Sequence, residues 1–246
     1  MVGKSSLVRR YLQDEFSDEY FATIGMKVYK KVVFVDQPGV SSKVPVTMVL
    51  WDIMGDSQYG DFLREIYLHG ASGLMAVADI TEPRSVSPLN NWVGSSLDFL
   101  GDVPVQIVLN KWDAGESEFA INTGRWVAKK NLATCYLASA SKGNNVERAF
   151  SELAQRILAQ ASLKSRRLSD DRLLGALVDS IGKKRTLAQI AADLGESPIS
   201  VEPLVRSLVK SGQLTMEDIE ISTDGSPIMF YSATGKLLPE KMLAAV

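Results

Sequence analysis

Hydrophobic runs alternate with amphipathic segments along the first 163 residues of this 246-residue chain. Two of the runs, residues 73–79 and 103–110, are almost continuously apolar, as expected for strands covered on both faces. The segments between the runs carry apolar residues at helical spacing, most clearly over 146–163. This alternation predicts an α/β domain with a mixed, mostly parallel sheet. The predicted strands are 28–35, 44–51, 73–79, 103–110 and 133–138, and the predicted helices are 5–13, 61–69, 90–100, 123–130 and 146–163.

The pattern changes after residue 163. Residues 164–169 are polar and basic and predict a linker, and residues 170–246 then show three short helical segments followed by two apolar strands. Glycine stands where each helix is expected to end, because it adopts the left-handed conformation that terminates helices. Three helices followed by a hairpin are typical of a winged helix-turn-helix, so we expect two domains, 1–163 and 170–246. The predicted helices are 170–181, 187–194 and 200–211, and the predicted strands are 213–221 and 228–232.

Composition and charge exclude several classes of protein. Hydrophobic residues make up 46% of the chain and charged residues 23%, which indicates a packed globular protein. The net charge of −2 gives no overall attraction to nucleic acid or anionic lipid. One cysteine and one histidine, Cys135 and His69, exclude an internal disulfide and a zinc site built from these residues. With neither a secretory pattern nor an apolar run of about 18 residues, we expect no transmembrane segment and a cytoplasmic protein.

The tripeptide Gly3-Lys4-Ser5 opens the first amphipathic helix. It matches the second half of a phosphate-binding loop, in which glycine lets backbone N–H groups approach the phosphates and lysine bridges their oxygens. The helix N-terminus favours an anion, and a serine hydroxyl at this position can bind Mg²⁺. These residues and Ser6 are the predicted phosphate contacts, although the tripeptide alone is a weak signal.

A second group of polar residues lies near the predicted hairpin. Asp52 ends a strand and can hold Mg²⁺ through water, and the N–H of Gly55 can reach a γ-phosphate. Thr23 lies between the first helix and the hairpin, where we expect a second hydroxyl ligand for Mg²⁺. The predicted metal ligands are therefore Ser5, Thr23 and Asp52.

Two further motifs follow later strands. Asn110-Lys111-Trp112-Asp113 comes directly after an apolar run, and the Asp113 carboxylate can accept both the N1 and N2 hydrogens of guanine, which adenine cannot offer. Ser139-Ala140-Ser141 follows the next strand, where backbone N–H groups can reach the guanine O6. The predicted base-binding residues are Asn110, Lys111, Asp113, Ser139 and Ala140.

The motifs G-K-S, T-I-G, W-D-x-x-G, N-K-x-D and S-A-x, in this order, resemble those of the Ras/Rab-type small GTPases, over residues 1–163. Short stretches such as 14–16 and 25–28 are similar to archaeal members. The resemblance implies a P-loop fold that binds GTP and GDP with Mg²⁺, hydrolyses GTP to GDP and phosphate, and acts as a switch on protein regulators and effectors. It also implies that Phe16 lies edge-on against the guanine and that Lys111 packs along the base and the phosphate loop. The catalytic residues would be Lys4, Thr23, Gly55 and Asp56.

Three positions depart from the family pattern. Met1 falls inside the phosphate loop, so the family's first strand is absent; we expect a start assigned too late, with a genuinely shortened, poorly binding protein as the alternative. Asp56 stands where the family has a glutamine that orients the attacking water, which predicts slow hydrolysis without a partner. Ser141 replaces a lysine, which predicts a modest loss of nucleotide affinity.

The segment after residue 163 carries as many basic as acidic residues, which is not the electrostatic pattern of a DNA-binding domain. With Val201 and its apolar neighbours facing inward, the third helix is expected to point Glu202, Arg206 and Lys210 outward, and Glu202 would repel phosphates. The chain end has no cysteine for a lipid anchor. We therefore expect this module to dock a protein partner. The alternative is a catalytically impaired GTPase-like scaffold or a DNA-binding transcriptional regulator.

Overall fold

The computed structural model describes residues 1–13, 26–36, 43–53, 68–165 and 184–234. Within these ranges the side chains of 162–165, 200 and 233 are not described. Four predicted site residues lie outside the described residues: Phe16, Thr23, Gly55 and Asp56. The predicted helix 170–181 and most of the predicted helix 61–69 lie outside them as well.

The first part of the chain contains all five predicted strands, arranged in two sheets. β1 and β2 form an antiparallel hairpin that pairs Met26 with Ile53. β3, β4 and β5 form a parallel sheet in that order, so the carboxyl ends of these strands meet at one edge. The elements are α1 Lys4–Gln13, β1 Met26–Val35, β2 Val44–Ile53, β3 Leu74–Asp79, α2 Pro83–Val86, α3 Leu89–Leu100, β4 Val105–Asn110, α4 Glu118–Lys130, β5 Thr134–Leu137 and α5 Val146–Ser165.

Two helices differ from the sequence prediction. α4 begins at Glu118, five residues before the predicted start, because the Ser117 hydroxyl accepts a hydrogen bond from the Ala120 N–H and caps the helix there. α2 was not predicted. Its four residues are too few to show a helical period, and Glu82 caps it by accepting from the Arg84 N–H.

Apolar side chains cover both faces of the parallel sheet. On one face, α1, α5 and the hairpin enclose a core in which the rings of Tyr11 and Phe150 stack 4.2 Å apart. On the other face, α3 and α4 pack against apolar residues of the strands. Cys135 is buried in this second core, and burial raises the pKa of its thiol to about 12. His69 is exposed.

Residues 184–234, here called the C-terminal module, contain two helices and a three-stranded antiparallel sheet in the order β6-β8-β7. α6 covers the range predicted for it, and the Thr186 hydroxyl and the Gln189 side chain form a capping box at its start. β6 was not predicted, since two residues carry no readable alternation. The elements are β6 Arg185–Thr186, α6 Leu187–Leu194, α7 Pro198–Lys210, β7 Leu214–Ile221 and β8 Pro227–Ala233.

The C-terminal module packs against the first part of the chain, and its apolar residues continue the core formed by α3 and α4. α7 lies against α5, and β7 lies against α4. The prediction that Glu202 and Arg206 point outward was wrong, because they are only 4% and 6% exposed. The periodicity of α7 identifies its apolar face correctly, and Lys210 is exposed as predicted, but Glu202 and Arg206 on the polar face are buried.

Buried charged groups join the module to the sheet domain. The Arg156 guanidinium donates to both carboxylate oxygens of Glu202, at 2.7 and 2.5 Å, and also to the Val105 carbonyl oxygen at 2.9 Å. Arg206 donates to the Leu132 carbonyl oxygen at 2.6 Å and to the Asp102 carboxylate at 3.2 Å. Charged and polar groups this deeply buried are stable only when their hydrogen bonds are satisfied, so these pairs fix where α7 sits.

Acidic residues of β7 face basic residues of α4. Arg125 donates to the Asp218 carboxylate at 3.0 Å and to the Ile219 carbonyl oxygen, and Lys129 donates to the Glu217 carbonyl oxygen. The negative charge of Asp218 is therefore matched by the chain's own Arg125.

Candidate functional site

Asn110, at the end of β4, joins two of the predicted motifs. Its side-chain Nδ2 donates to the Val2 carbonyl oxygen at 3.0 Å, and its Oδ1 accepts from the Ala140 N–H at 3.0 Å. The side chain is 1% exposed, so both contacts are shielded from water. Asn110 thereby holds the segment before α1 and the loop after β5 on either side of the strand end.

Gly3 approaches the Asn110 amide closely. Its φ is +87°, in the left-handed region that favours glycine, and a Cβ built on it would lie 2.4 Å from the Asn110 Nδ2. A side chain at position 3 would therefore displace the amide that joins the two motifs. The geometry explains why glycine stands here independently of any ligand.

Asp113 presents its carboxylate at the surface between two serines. The Ser139 hydroxyl donates to one carboxylate oxygen and the Ser141 hydroxyl to the other, both at 2.5 Å. Burial alone would raise the pKa of Asp113, but these two hydrogen bonds outweigh it and lower the pKa. The ionised carboxylate is thus held in one orientation and can accept further hydrogen bonds from a ligand.

Lys111 forms an ion pair with Asp79, a residue that belongs to none of the five motifs. Lys111 has a φ of +67°, and its ammonium lies 2.5 Å from the Asp79 carboxylate. Thr81 donates to the same carboxylate through its N–H and its hydroxyl. Burial opposes ionisation of Asp79, yet the bonds from Lys111 and Thr81 bring its pKa below the usual range. The sequence signal was present, since Asp79 ends a strand next to β4.

Arg10, on α1, reaches the loop after β5. Its Nε donates to the Ala140 carbonyl oxygen at 2.8 Å, and its Nη2 donates to the Ser141 carbonyl oxygen at 2.7 Å. These bonds tie the helix that begins at the phosphate motif to the predicted base-binding loop. A single arginine on an amphipathic helix carries no sequence signal for such a role.

The first turn of α1 and the end of β2 form the other end of the site. Lys4, Ser5 and Ser6 lie in this turn, which contains no acidic residue, so the positive end of the helix dipole is not neutralised locally. Burial lowers the pKa of Lys4, and the negative charge of Asp52 acts in the opposite direction. This end is therefore suited to an anion next to a half-buried lysine.

Asp52 is 3% exposed, and neither of its carboxylate oxygens has a hydrogen-bond partner among the residues that the structure describes. A buried, unpartnered carboxylate is costly because the charge is removed from water without compensation. A hard divalent cation with its bound waters satisfies such oxygens. The donor chemistry at Asp52 therefore fits Mg²⁺.

Comparisons with known proteins agree with this geometry. The family model of the Ras family matches residues 1–159. Ras-related protein Rab-18-B of Danio rerio is 32% identical over 164 residues, which are 66% of this chain and 77% of the relative. Ypt/Rab-type GTPase YPT7 of Saccharomyces cerevisiae is 32% identical over 178 residues, which are 69% of this chain and 83% of the relative. Within the described ranges, none of the helices is both long and apolar enough to cross a lipid bilayer. The chain belongs to the Ras family of small GTPases, GTP-binding proteins that act as nucleotide-dependent switches.

Proposed function

We propose that this protein hydrolyses GTP to GDP and phosphate with Mg²⁺, and that it does so slowly. The observation that carries the proposal is the Asn110 side chain, which bonds at once to the segment preceding α1 and to the loop after β5. A site that reads a base at one end and phosphates at the other needs a fixed distance between its ends. Asn110 supplies that link.

The base end is proposed to select guanine. Asp113 accepts the N1 and N2 hydrogens, and its orientation by Ser139 and Ser141 supports this role. The Ala140 N–H, which donates to Asn110, is then shared with the guanine O6. Lys111 packs beside the base while paired with Asp79. Phe16 is proposed to complete the base site from the edge.

The phosphate end is proposed to bind the β- and γ-phosphates through the N–H groups of Gly3 to Ser6 and the Lys4 ammonium. The half-buried position of Lys4 supports its interaction with phosphate, because charges attract more strongly where water is partly excluded. Ser5, Thr23 and Asp52 are the proposed residues for Mg²⁺, and the unpartnered Asp52 oxygens support the assignment. Mg²⁺, when bound, neutralises charge on the β- and γ-phosphates.

Slow turnover follows from Asp56. Lys4 and the Gly55 N–H are proposed to stabilise negative charge on the γ-phosphate, and Thr23 is proposed to act as the second hydroxyl ligand of Mg²⁺. The water that attacks the γ-phosphate needs a side chain that both accepts and donates a hydrogen bond. An ionised aspartate cannot donate, is one methylene shorter than glutamine, and adds negative charge.

Single-turnover hydrolysis of GTP tests this proposal. We expect Asp56→Gln to accelerate the step by at least about tenfold, since a positioned polar group is worth more than this in comparable reactions. Asp56→Asn is the matched control, because it removes the negative charge without restoring the side-chain length of glutamine. An unchanged rate in Asp56→Gln would contradict the proposal. Recovery of neither GDP nor GTP from the purified full-length protein would instead favour the scaffold.

We also infer that the C-terminal module is a winged helix specialised for protein contacts. The sheet order β6-β8-β7 together with α6 and α7 supports the fold. In the helix that would enter a DNA groove, Glu202 and Arg206 are buried in intrachain ion pairs, which counts against DNA contacts although Lys210 is exposed. Titration with random duplex DNA at rising salt is the test: we expect no binding at any salt concentration, whereas binding that weakens steeply with salt would favour the DNA-binding regulator.

A further inference from the structure

The turn that links β7 to β8, residues 222–226, lies against the end of β5, immediately before the proposed base-binding loop. The Leu137 N–H donates to the Gly225 carbonyl oxygen at 3.0 Å. The Asn145 Nδ2 donates to the Leu137 carbonyl oxygen at 2.8 Å and also to the Asp224 carbonyl oxygen. The turn, called the wing turn below, therefore bonds to both Leu137 and Asn145.

Leu137 and Asn145 flank the loop that carries the serine and alanine of the S-A-x motif. Ser139 is two residues beyond Leu137, and its N–H donates to the Asn144 carbonyl oxygen, which closes the loop at 3.0 Å. Any shift of the two flanking residues moves the loop backbone between them. The wing turn thus contacts both ends of the loop without touching the predicted ligand contacts themselves.

The wing turn has a well-defined conformation of its own. The Ser222 hydroxyl donates to the Ser226 carbonyl oxygen at 2.9 Å, and the Ser226 N–H donates to the Asp224 carboxylate at 3.1 Å. Arg148 of α5 donates to the same carboxylate at 2.9 Å. A turn fixed by internal bonds and anchored to α5 can hold another backbone segment in place.

Gly225 permits the close approach. Its φ is +79°, and a Cβ built on it would lie 2.9 Å from the Leu137 carbonyl oxygen and 2.8 Å from the Asn145 Nδ2. A side chain at position 225 must therefore separate the wing turn from β5. The contact depends on this one glycine in a way that can be tested.

We propose that the wing turn is a positioning element for nucleotide binding, which holds the loop 138–144 in the conformation that accepts guanine. The inference rests on the proposed base site. It assigns to the C-terminal module a role in retaining nucleotide, and Gly225 and Asn145 are its positioning residues. Because the contact lies at the base end, it affects binding of the base and leaves the reaction at the γ-phosphate unchanged.

The first experiment measures dissociation of GDP carrying a fluorescent group on its ribose from the full-length protein. We expect Gly225→Ala to accelerate dissociation by about tenfold, within the usual range for coupling between two sites. Gly212→Ala is the matched control in the same module: Gly212 has a φ of +76°, and a Cβ there meets nothing within 4 Å. Both variants carry the same backbone strain, and only the first separates the wing turn from β5.

Kinetics distinguish positioning from general damage. We expect Gly225→Ala to raise the KM for GTP by about tenfold while the single-turnover rate of bound GTP stays within about twofold of the unsubstituted protein. Asn145→Gly removes both side-chain hydrogen bonds and keeps a residue suited to the φ of +56°. It should likewise raise the KM for GTP and leave the single-turnover rate unchanged. A parallel fall in the single-turnover rate would overturn the proposal.

Amide hydrogen exchange without nucleotide gives a second measurement that does not depend on binding. We expect Gly225→Ala to speed exchange of the Leu137 and Ser139 amides at least about tenfold, because local opening governs their protection, and Gly212→Ala to leave them unchanged. Equal behaviour of the two variants in exchange and in dissociation would overturn the inference alone. Failure of the unsubstituted protein to bind the GDP probe, with a normal exchange pattern, would instead overturn the proposed base site.

Discussion

The two ends of the nucleotide site differ in how completely the protein satisfies its own polar groups. At the base end, Asp113 has a hydrogen bond on each carboxylate oxygen, and Asn110 uses both its amide nitrogen and its oxygen. At the phosphate end, Asp52 is more deeply buried, and neither oxygen has a partner among the described residues. The base end is preorganised, whereas the carboxylate at the phosphate end requires a ligand to compensate its charge.

This difference indicates that the base end is stable without ligand, whereas the phosphate end depends on ligand. Bonds made without ligand hold the base end at the point where the C-terminal module is docked. At the phosphate end, the Asp52 carboxylate lacks hydrogen bonds among the described residues. We therefore expect the structure of this end to change when ligand binds. Four predictions follow from this comparison, in order of expected effect.

The largest effect concerns the buried ion pair between Arg156 and Glu202, which joins the C-terminal module to the sheet domain. Arg156→Met removes both of its hydrogen bonds from the buried Glu202 carboxylate and leaves the more distant Arg206, at 3.8 Å, beside it, which should lower the free energy of unfolding by about 3–5 kcal/mol in urea titrations. Replacing both residues, Arg156→Met with Glu202→Leu, should recover most of the loss, because neither member of the pair is left buried without the other and Arg206 keeps its bond to Asp102. A single variant as stable as the unsubstituted protein would show that the pair is not what holds the module.

The second prediction tests whether Asp113 reads the base. Asp113→Asn keeps one acceptor oxygen but places an NH₂ donor against the other guanine hydrogen, so GDP affinity should fall by about 100-fold, or about 2.7 kcal/mol. Xanthine carries a carbonyl where guanine carries its amino group, so XDP should bind the variant better than GDP does. Equilibrium titration measures both, with the exposed Asp98→Asn as control. Equal losses for the two nucleotides would exclude a base contact.

The third prediction contrasts the partnered and unpartnered carboxylates directly. Without nucleotide and Mg²⁺, Asp52→Asn should raise the free energy of unfolding by about 1–2 kcal/mol, because it removes a buried charge whose oxygens have no hydrogen bond among the described residues. Asp79→Asn should lower it by about 1–2 kcal/mol, because it breaks the pair with Lys111 and the bonds from Thr81. Urea titrations of both variants measure whether each substitution raises or lowers the free energy of unfolding. Destabilisation by Asp52→Asn would mean that its carboxylate is already compensated.

The smallest effect is the response to acid. Bonds from their neighbours hold the pKa of Asp79 and of Asp113 below the ordinary value despite burial. A carboxylate whose native pKa is depressed stabilises the fold above its unfolded pKa, about 3.9, and loses this contribution as the pH falls through the native pKa. We therefore expect these two residues to contribute constant stability from pH 7 to about 5, with the loss lying mainly below 3.9. Urea titrations across this range should show a shallower acid loss in Asp79→Asn; an identical loss would contradict the assignment.

Much of the base site could be predicted from the sequence because its residues follow strand ends. β4 and β5 are parallel neighbours, so Asn110 and Ala140 had to meet at one sheet edge once both strands were identified. Arg10 and Gly225 could not be predicted in this way. Each reaches the same loop across more than 80 residues of chain, and neither belongs to a local pattern.

The prediction that Glu202 and Arg206 of α7 point outward was wrong for a general physical reason. Apolar spacing shows which face of a helix avoids water, but a polar face that is exposed and one that is buried in ion pairs have the same spacing. Glu202 belongs to the second kind because Arg156, 46 positions earlier, neutralises it. Only the arrangement of α5 and α7 reveals the pair.

The hydrogen bond from Leu137 to Gly225 has a consequence for how the protein behaves in a crowded solution. β5 is the last strand of its sheet, and all four of its residues are buried. An uncovered strand of this kind is a template on which another polypeptide can add a strand, which leads to aggregation. Because the wing turn already accepts the Leu137 N–H, we expect the C-terminal module to hinder strand addition at this end of β5.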